Sequence, residues 1–262
     1  MKAVRRTCAV LLIGACSSAL NEPSPIARYA PGHANGRGAR QLLADGDAAW
    51  AKRAEPGKAA EAQGLYLDAA VADGHAVDGL LGAMRALSFR IEYEKGVSKE
   101  TLSTEEVELG QWCQRRSPAA AECDYRLAIA LGQQAREKMS TGRDAMNRMV
   151  DLLHRAIAAA PALDDGGPHR VLALVLLRAP GWPAGPGDAD EGLAEAKKAI
   201  ALAPQSAANQ LVLAEALVAA GEDDAARVAY QKAAKLAGAA SRDPEAARQL
   251  AEAKSGIAKT GG

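Results

Sequence analysis

Histidines and carboxylates are the side chains of this sequence that could bind a metal or carry acid–base catalysis. The four histidines are scattered, with no second metal ligand at helical spacing: His33, His75, His154 and His169. The paired carboxylates Asp164-Asp165 and Asp223-Asp224 precede helical runs, where negative charge stabilises a helix start. The sequence has no Gly-rich phosphate loop, nucleophile elbow or dinucleotide fingerprint. It therefore predicts no catalytic residue, no metal site and no cofactor, and it argues against an enzyme.

The N-terminus has the pattern of a secretory signal. Basic residues precede a short apolar run, CAVLLIGA at 8–15, which is too short to span a bilayer. The run ends in IGAC at 13–16, which resembles the lipobox of bacterial lipoproteins. The resemblance implies a signal peptide over 1–15 and lipidation of Cys16. Ser17 after the cysteine implies the outer membrane, with the protein facing the periplasm; an ordinary secretory peptide is the alternative.

A segment without helical periodicity follows the lipidation site. Residues 16–38 are rich in Pro, Gly, Ser and Asn, a composition typical of linkers. We expect a flexible tether here, dispensable for folding, between the lipid and a helical domain over 39–262.

Two cysteines, Cys113 and Cys123, remain after signal removal and lipidation of Cys16. Ser117-Pro118 between them has the types of an N-cap and a first helical residue, which places each cysteine about one turn from a bend between antiparallel helices. Because the periplasm is oxidising, the sequence favours a structural disulfide over free buried thiols. The spacing is not the Cys-x-x-Cys of an oxidoreductase, which argues against a redox protein.

A segment near the C-terminus matches the pattern of one helical repeat at nearly every position. Residues 207–238 read AANQLVLAEALVAAGEDDAARVAYQKAAKLAG. Large, small and large residues on a first helix lead to a turn glycine, and small, aromatic and small residues follow on a second helix. The positions are Leu213, Ala214, Leu217, Gly221, Ala226, Tyr230 and Ala233. This is the spacing of the tetratricopeptide repeat (TPR), in which small residues let two helices approach closely.

The same pattern extends back to Ala39, with Tyr66 at the position equivalent to Tyr230. It predicts an all-α fold, a tetratricopeptide-like α-solenoid of about five helix pairs plus a capping C-terminal helix. With 48% hydrophobic but only 3% aromatic residues, the core must consist mainly of Ala, Leu, Val and Met, which favours helices. The predicted helices span 40–53, 58–73, 77–93, 104–116, 119–138 and 143–160. The next helix begins at 168 and is apolar on nearly every face, so we expect it to be buried all round. The last predicted helix spans 244–259.

Charge is balanced along the chain, with 32 basic and 32 acidic residues. Removal of residues 1–15 takes away basic residues only, so the mature chain is slightly acidic. No basic stripe is present, and nucleic acid is therefore not an expected partner.

Three runs of the sequence resemble the TatT family of bacterial lipoproteins. They are ECDYRLAIALGQQARE at 122–137, GGPHRVLALVLLRAPGWPAGPGD at 166–188 and NQLVLAEAL at 209–217. The family consists of tetratricopeptide lipoproteins associated with TRAP transporters, which depend on periplasmic solute-binding proteins. The resemblance covers about 40–240. It implies a periplasmic scaffold that pairs with a solute-binding protein and shelters a ligand in its hollow.

Two functions stay open at this point. The first is a TRAP-associated binding component whose concave face contacts a solute-binding protein or a small, partly apolar organic acid. The second is an outer-membrane tetratricopeptide scaffold for assembly of an envelope protein complex. The sequence leaves the solute, the protein partner and homo-oligomerisation undecided.

An inserted turn at 179–187 (APGWPAGPG) is the expected binding segment, because it exceeds the repeat period by about nine residues. Its three prolines hold it extended. Trp182 at its centre either fills a gap between repeats or lines the hollow, with Arg178 placed to bind a carboxylate bidentately. The expected ligand or partner contacts are Arg178, Trp182, Leu211, Glu215 and Val218.

Overall fold

Antiparallel helices joined by short turns build the protein in a computed structural model that describes residues 18–32, 34–239 and 243–261. The helices of this described part are α1 (Ala39–Trp50), α2 (Lys58–Ala72), α3 (Asp78–Tyr93), α4 (Lys99–Arg116), α5 (Ala121–Glu137), α6 (Gly142–Ala159), α7 (Leu163–Arg178), α8 (Ala189–Leu202), α9 (Ala207–Ala219), α10 (Asp223–Gly238) and α11 (Pro244–Lys259). None of them is long and apolar enough to cross a membrane.

The stacking of the helices is that of a TPR solenoid. Each helix packs on the next along the chain, and the first helices of successive pairs also touch: α1 on α3, α3 on α5, α5 on α7 and α7 on α9. Helix α11 packs on α9 and α10, in the place that the first helix of a sixth pair would take. The predicted all-α solenoid of five pairs with a final helix is confirmed.

Small residues hold the pairs together at the predicted repeat positions. Ala214, Ala226 and Ala233 are fully buried between helices. The ring of Tyr66 leaves no room for a Cβ at Gly82 of the following helix, where an added Cβ would lie 2.6 Å from the ring. Tyr230 occupies the same kind of site against Gly256 of α11, so the two predicted equivalents pack alike.

Three helix starts differ from the prediction. Helix α5 begins at Ala121 with Ala120 as its N-cap, so Ser117 is the C-cap of α4 and not the predicted N-cap of α5. Helix α4 begins at Lys99, five residues earlier than expected, because the Ser98 hydroxyl accepts a hydrogen bond from the Thr101 amide (3.3 Å) and caps the helix. Helix α7 begins with a left-handed turn over 164–166, and regular helix follows from there through Pro168. Between 169 and 177 no residue is exposed, but those at 170, 171, 174 and 177 are only partly buried, so the helix is not buried all round as predicted.

The last helix also reaches the first two pairs. Asp243, the N-cap of α11, forms an ion pair with Arg53, which follows α1. Arg248 on α11 donates to Glu92 on α3, 2.7 Å away. The two ends of the solenoid therefore touch, a contact that the repeat pattern did not predict.

The N-terminal segment differs most from its prediction, because the described part of 16–38 packs on the helices instead of forming a free tether. Ala19 and Ile26 are buried, with 2% and 8% of their surface exposed, and they join the main hydrophobic core. Residues Ile26–Arg28 form a short 3-10 turn. The segment is called the N-terminal strap below. Residues 1–15 and Cys16 lie outside the described part of the chain.

Side chains of α4 and neighbouring helices supply the hydrogen bonds that a non-helical segment cannot make within itself. Glu108 accepts from the Ser24 amide (2.6 Å) and from the Tyr29 hydroxyl (2.7 Å). The Trp112 indole donates to the Ser24 carbonyl (2.8 Å). Asp68 on α2 accepts from the Gly32 amide (2.9 Å). The strap is rich in proline and glycine, yet the helices provide partners for the amide and carbonyl of Ser24 and for the amide of Gly32.

Candidate functional site

The side of the solenoid lined by the first helices of the pairs encloses a hollow of about 510 Å³ between α3, α5, α6, α7 and α11. Its floor is apolar and includes Ile129, Met146, Met149, Val171, Leu174 and Val175. Five arginines line it: Arg126, Arg136, Arg170, Arg178 and Arg248. Only three carboxylates do so, Glu92, Asp164 and Glu245. An apolar pocket with an excess of positive charge suits a ligand with a negative group and an apolar body.

Four of these arginines already have a carboxylate partner. Arg136 and Arg248 both pair with Glu92. Arg170 donates to Asp164 at 2.8 Å. Arg178 donates through Nε and Nη2 to both oxygens of Glu215, at 2.7 and 2.6 Å.

Arg126 is the exception. It makes no ion pair within the described residues, and its buried Nε has no hydrogen-bond partner there. Its guanidinium lies over the ring of the neighbouring Tyr125, 5.4 Å from the ring centroid. A guanidinium without a carboxylate partner in a largely apolar pocket attracts an anion, because an ion pair there is weakened little by water.

The ionisation of the hollow follows from its ion pairs. Burial alone would raise the pKa of Glu92, but the hydrogen bonds and charges of Arg136 and Arg248 outweigh it and lower the pKa. Burial raises the pKa of the Tyr125 hydroxyl, which donates to Asp164 at 2.5 Å. Glu92 is therefore a carboxylate and Tyr125 a neutral hydroxyl at neutral pH.

The predicted contact residues fall in three different settings. Arg178 lines the hollow, and the bidentate carboxylate expected for it is Glu215 of the same chain. Val218 is 42% exposed on α9. Leu211 is buried with Ala233 and Ala253, so its role is packing between α9, α10 and α11, which corrects the prediction of a ligand contact.

Trp182 neither fills a gap nor lines the hollow, since 90% of its surface is exposed and it is not among the lining residues. The inserted turn closes on its own backbone: the Gly187 amide donates to the Pro180 carbonyl (2.9 Å). The exposed Trp182 means that both predicted placements of this side chain are wrong.

Cys113, in the last turn of α4, and Cys123, in the first turn of α5, are joined as a disulfide with their Cα atoms 5.4 Å apart. Both are fully buried. The bond links consecutive helix pairs close to the bend between them, where the sequence placed it. Its position in the core fits a structural role.

A buried polar pair was missed by the sequence analysis. His169 Nδ1 on α7 lies 2.5 Å from an oxygen of Glu195 on α8, whose other oxygen accepts from Lys198 at 2.6 Å. Burial would raise the pKa of Glu195, but His169 and Lys198 outweigh it and lower the pKa. The pair joins two helices and lies outside the hollow. Within the described residues no group of three or more His, Cys, Asp or Glu side chains could hold a metal ion.

The hollow's charged residues were also missed, because they come from helices far apart in sequence. Arg126 lies in the run ECDYRLAIALGQQARE, which indicates a helix but not which of its charged residues face the hollow. No sequence pattern near Glu92 or Arg248 indicates a binding site, because the two residues meet only where the two ends of the solenoid touch.

Comparison with known proteins supports the fold. No family model and no curated protein matches the sequence. Among solved structures, a thermophilic TPR protein of Thermus thermophilus superposes with a TM-score of 0.61 at 20% identity, over 82% of this chain and 98% of that one. Yeast Tom70 gives 0.51 at 16% identity, over 86% of this chain and 41% of that one. MamA of Desulfovibrio magneticus gives 0.50 at 17% identity, over 77% and 96%. The chain therefore has a TPR fold.

Proposed function

We propose that this protein is a lipid-anchored binding scaffold of the outer membrane that faces the periplasm and serves a TRAP transporter. TPR solenoids use their curved surfaces to bind partners, which supports a scaffold. The lipobox-like IGAC at 13–16 supports the anchor, and the likeness of three sequence runs to the TatT family supports the transporter. In this proposal the protein contacts a periplasmic solute-binding protein, and its hollow receives a small organic acid with an apolar body.

The unpaired Arg126 is the observation that carries the ligand part of the proposal. Each of the other four arginines already pairs with a carboxylate, two of them with the same Glu92, so an entering carboxylate would not have to break an ion pair to reach Arg126. The guanidinium of Arg126, which lines the hollow and makes no ion pair within the described residues, would gain a charged partner. The apolar floor would cover the rest of the ligand.

Titration with 1-anilinonaphthalene-8-sulfonate tests the site, because this apolar anion fluoresces when it leaves water. We expect Arg126→Gln to weaken its binding about tenfold or more, the loss of one charged hydrogen bond. Arg143→Gln is the matched control, since Arg143 is exposed and is not among the residues that line the hollow. Equal affinity of wild type and Arg126→Gln, with equal melting temperatures, would refute the anion site.

Native mass spectrometry of protein purified from its own envelope separates the two candidate functions. A bound small acid, lost in Arg126→Gln, supports the transporter-linked component. Protein without a ligand that co-purifies with a membrane complex favours the assembly scaffold instead.

A further inference from the structure

The N-terminal strap fixes where the lipid anchor must lie. Its first buried residue, Ala19, donates its amide to Asp144 in the first turn of α6, 2.7 Å away. Arg148 donates to the same carboxylate (2.9 Å) and holds it in place. Cys16 precedes Ala19 by three residues, which span at most about 10 Å. A bilayer that holds lipid on Cys16 therefore lies close to Ala19, which is fixed beside the start of α6.

The inserted turn lies at this same end of α6. Arg143, the neighbour of Asp144, donates to the carbonyl of Pro183 (3.2 Å). Trp182 is next to that proline and 90% exposed. Met139, three residues before α6, is 87% exposed. These two are the most exposed large apolar side chains of the described residues; the next, Val228 on α10, is 64% exposed.

We infer that Trp182 and Met139 form a membrane-contact surface that enters the interface of the bilayer holding the Cys16 lipid. The inference rests on the lipid anchor of the proposed function. Tryptophan favours the headgroup region, where its ring is partly in the apolar layer and its N–H stays wet. Lys138 and Arg143, both exposed, flank the two apolar side chains and suit contact with lipid phosphates.

The strap fixes the orientation of the domain relative to the bilayer. A free tether of more than 20 residues would let the domain move far from the membrane. The strap instead is held to α4 by Glu108 and Trp112 and by the ion pair of Glu22 with Arg115 (2.8 Å). The domain is thus held against the bilayer at the start of α6, and Trp182 and Met139 face the lipid.

Quenching of tryptophan fluorescence by brominated lipids tests the inference. Mature lipidated protein is reconstituted into vesicles of phosphatidylethanolamine and phosphatidylglycerol, with or without bromine on the acyl chains. We expect brominated lipid to quench a part of the emission that is missing in Trp182→Ala. The control is Val228→Trp in the Trp182→Ala protein, which moves the exposed tryptophan to α10. Its emission should not respond to bromine.

Flotation of the same vesicles separates failure of the inference from failure of the proposed function. Wild type and Trp182→Ala should float with the lipid, and Cys16→Ala should not. Wild type that floats but shows no bromine quenching overturns the contact surface and leaves the anchor standing. Wild type that does not float overturns both the anchor and the contact surface. Dye binding in the hollow reports separately on Arg126 and should be unchanged in Trp182→Ala.

Discussion

Arg248 on the last helix donates to Glu92 on the third, 2.7 Å away across 156 residues of sequence. Arg136 on α5 binds the same carboxylate. A single, partly buried glutamate therefore connects three helices that line the hollow. The second contact between the two ends, Arg53 with Asp243, lies on the same helix α11. Both contacts are ion pairs, and the guanidinium of Arg248 also lies over the ring of Tyr93 on α3, 5.0 Å from the ring centroid, so charged side chains contribute to the closure of the solenoid.

Glu92→Gln should loosen this closure. The variant loses two ion pairs whose arginines are about half exposed, and we expect a loss of about 1–2 kcal/mol in unfolding free energy at neutral pH. The pKa of Glu92 lies below the 4.5 of a free glutamate, so its contribution is present above pH 4.5 and is lost as the pH falls through the lower, folded-state value. Urea unfolding should show the two proteins converging in acid.

Glu245→Gln is the matched control, because Glu245 lines the same hollow and makes no ion pair within the described residues. Its stability should stay within about 0.5 kcal/mol of wild type. If Glu92→Gln behaves like this control at neutral pH, the contact between the ends contributes nothing to stability.

The fold could be predicted from sequence because a TPR is defined by short-range spacing. The residues that decide each helix pair, such as Tyr230 and the alanines around it, lie within one repeat. The disulfide was predictable for the same reason, since Cys113 and Cys123 flank a single bend. The contact of Arg248 with Glu92 was not, because it depends on the accumulated curvature of all five pairs.

The strap and Trp182 were misjudged for a different reason. Composition indicates whether a segment can form a helix, but not whether a finished domain offers partners for its backbone. Glu108 and Trp112 provide such partners for Ser24, and neither residue signals this in its own helix. Trp182 was expected inside because of its apolar surface, whereas its turn bonds to its own backbone and leaves the side chain 90% exposed.

Ile26→Ala tests whether the strap belongs to the folded domain. Ile26 is 8% exposed and packs in the main core. Its truncation should lower the unfolding free energy by about 2 kcal/mol or more. Val228→Ala is the control, because Val228 is 64% exposed and should tolerate the change within about 0.5 kcal/mol. If Ile26→Ala and wild type melt at the same temperature, the strap does not stabilise the domain, and the prediction of a flexible tether would be correct.

Glu106 on α4 supplies a prediction about pH. Its side chain is fully buried, the Ser88 hydroxyl donates to one oxygen at 2.5 Å, and the other oxygen has no hydrogen-bond partner within the described residues. Burial raises the pKa of Glu106 to about 8, against the opposing effects of Ser88 and Arg126. The folded protein therefore keeps a proton between pH 4.5 and about 8 that the unfolded chain has released, and wild type loses stability as the pH rises across that window.

Glu106→Gln removes this titration while it keeps an acceptor for Ser88. Relative to wild type, the variant should gain stability steadily from acid to about pH 8, where the gain should reach at least about 1 kcal/mol. Urea unfolding of both proteins across this window measures the difference. Glu100→Gln, an exposed position on the same helix, should differ from wild type by a small amount that does not change with pH. The same constant difference for Glu106→Gln would mean that Glu106 titrates as it does in the unfolded chain, and that water or another acceptor reaches its unpaired oxygen.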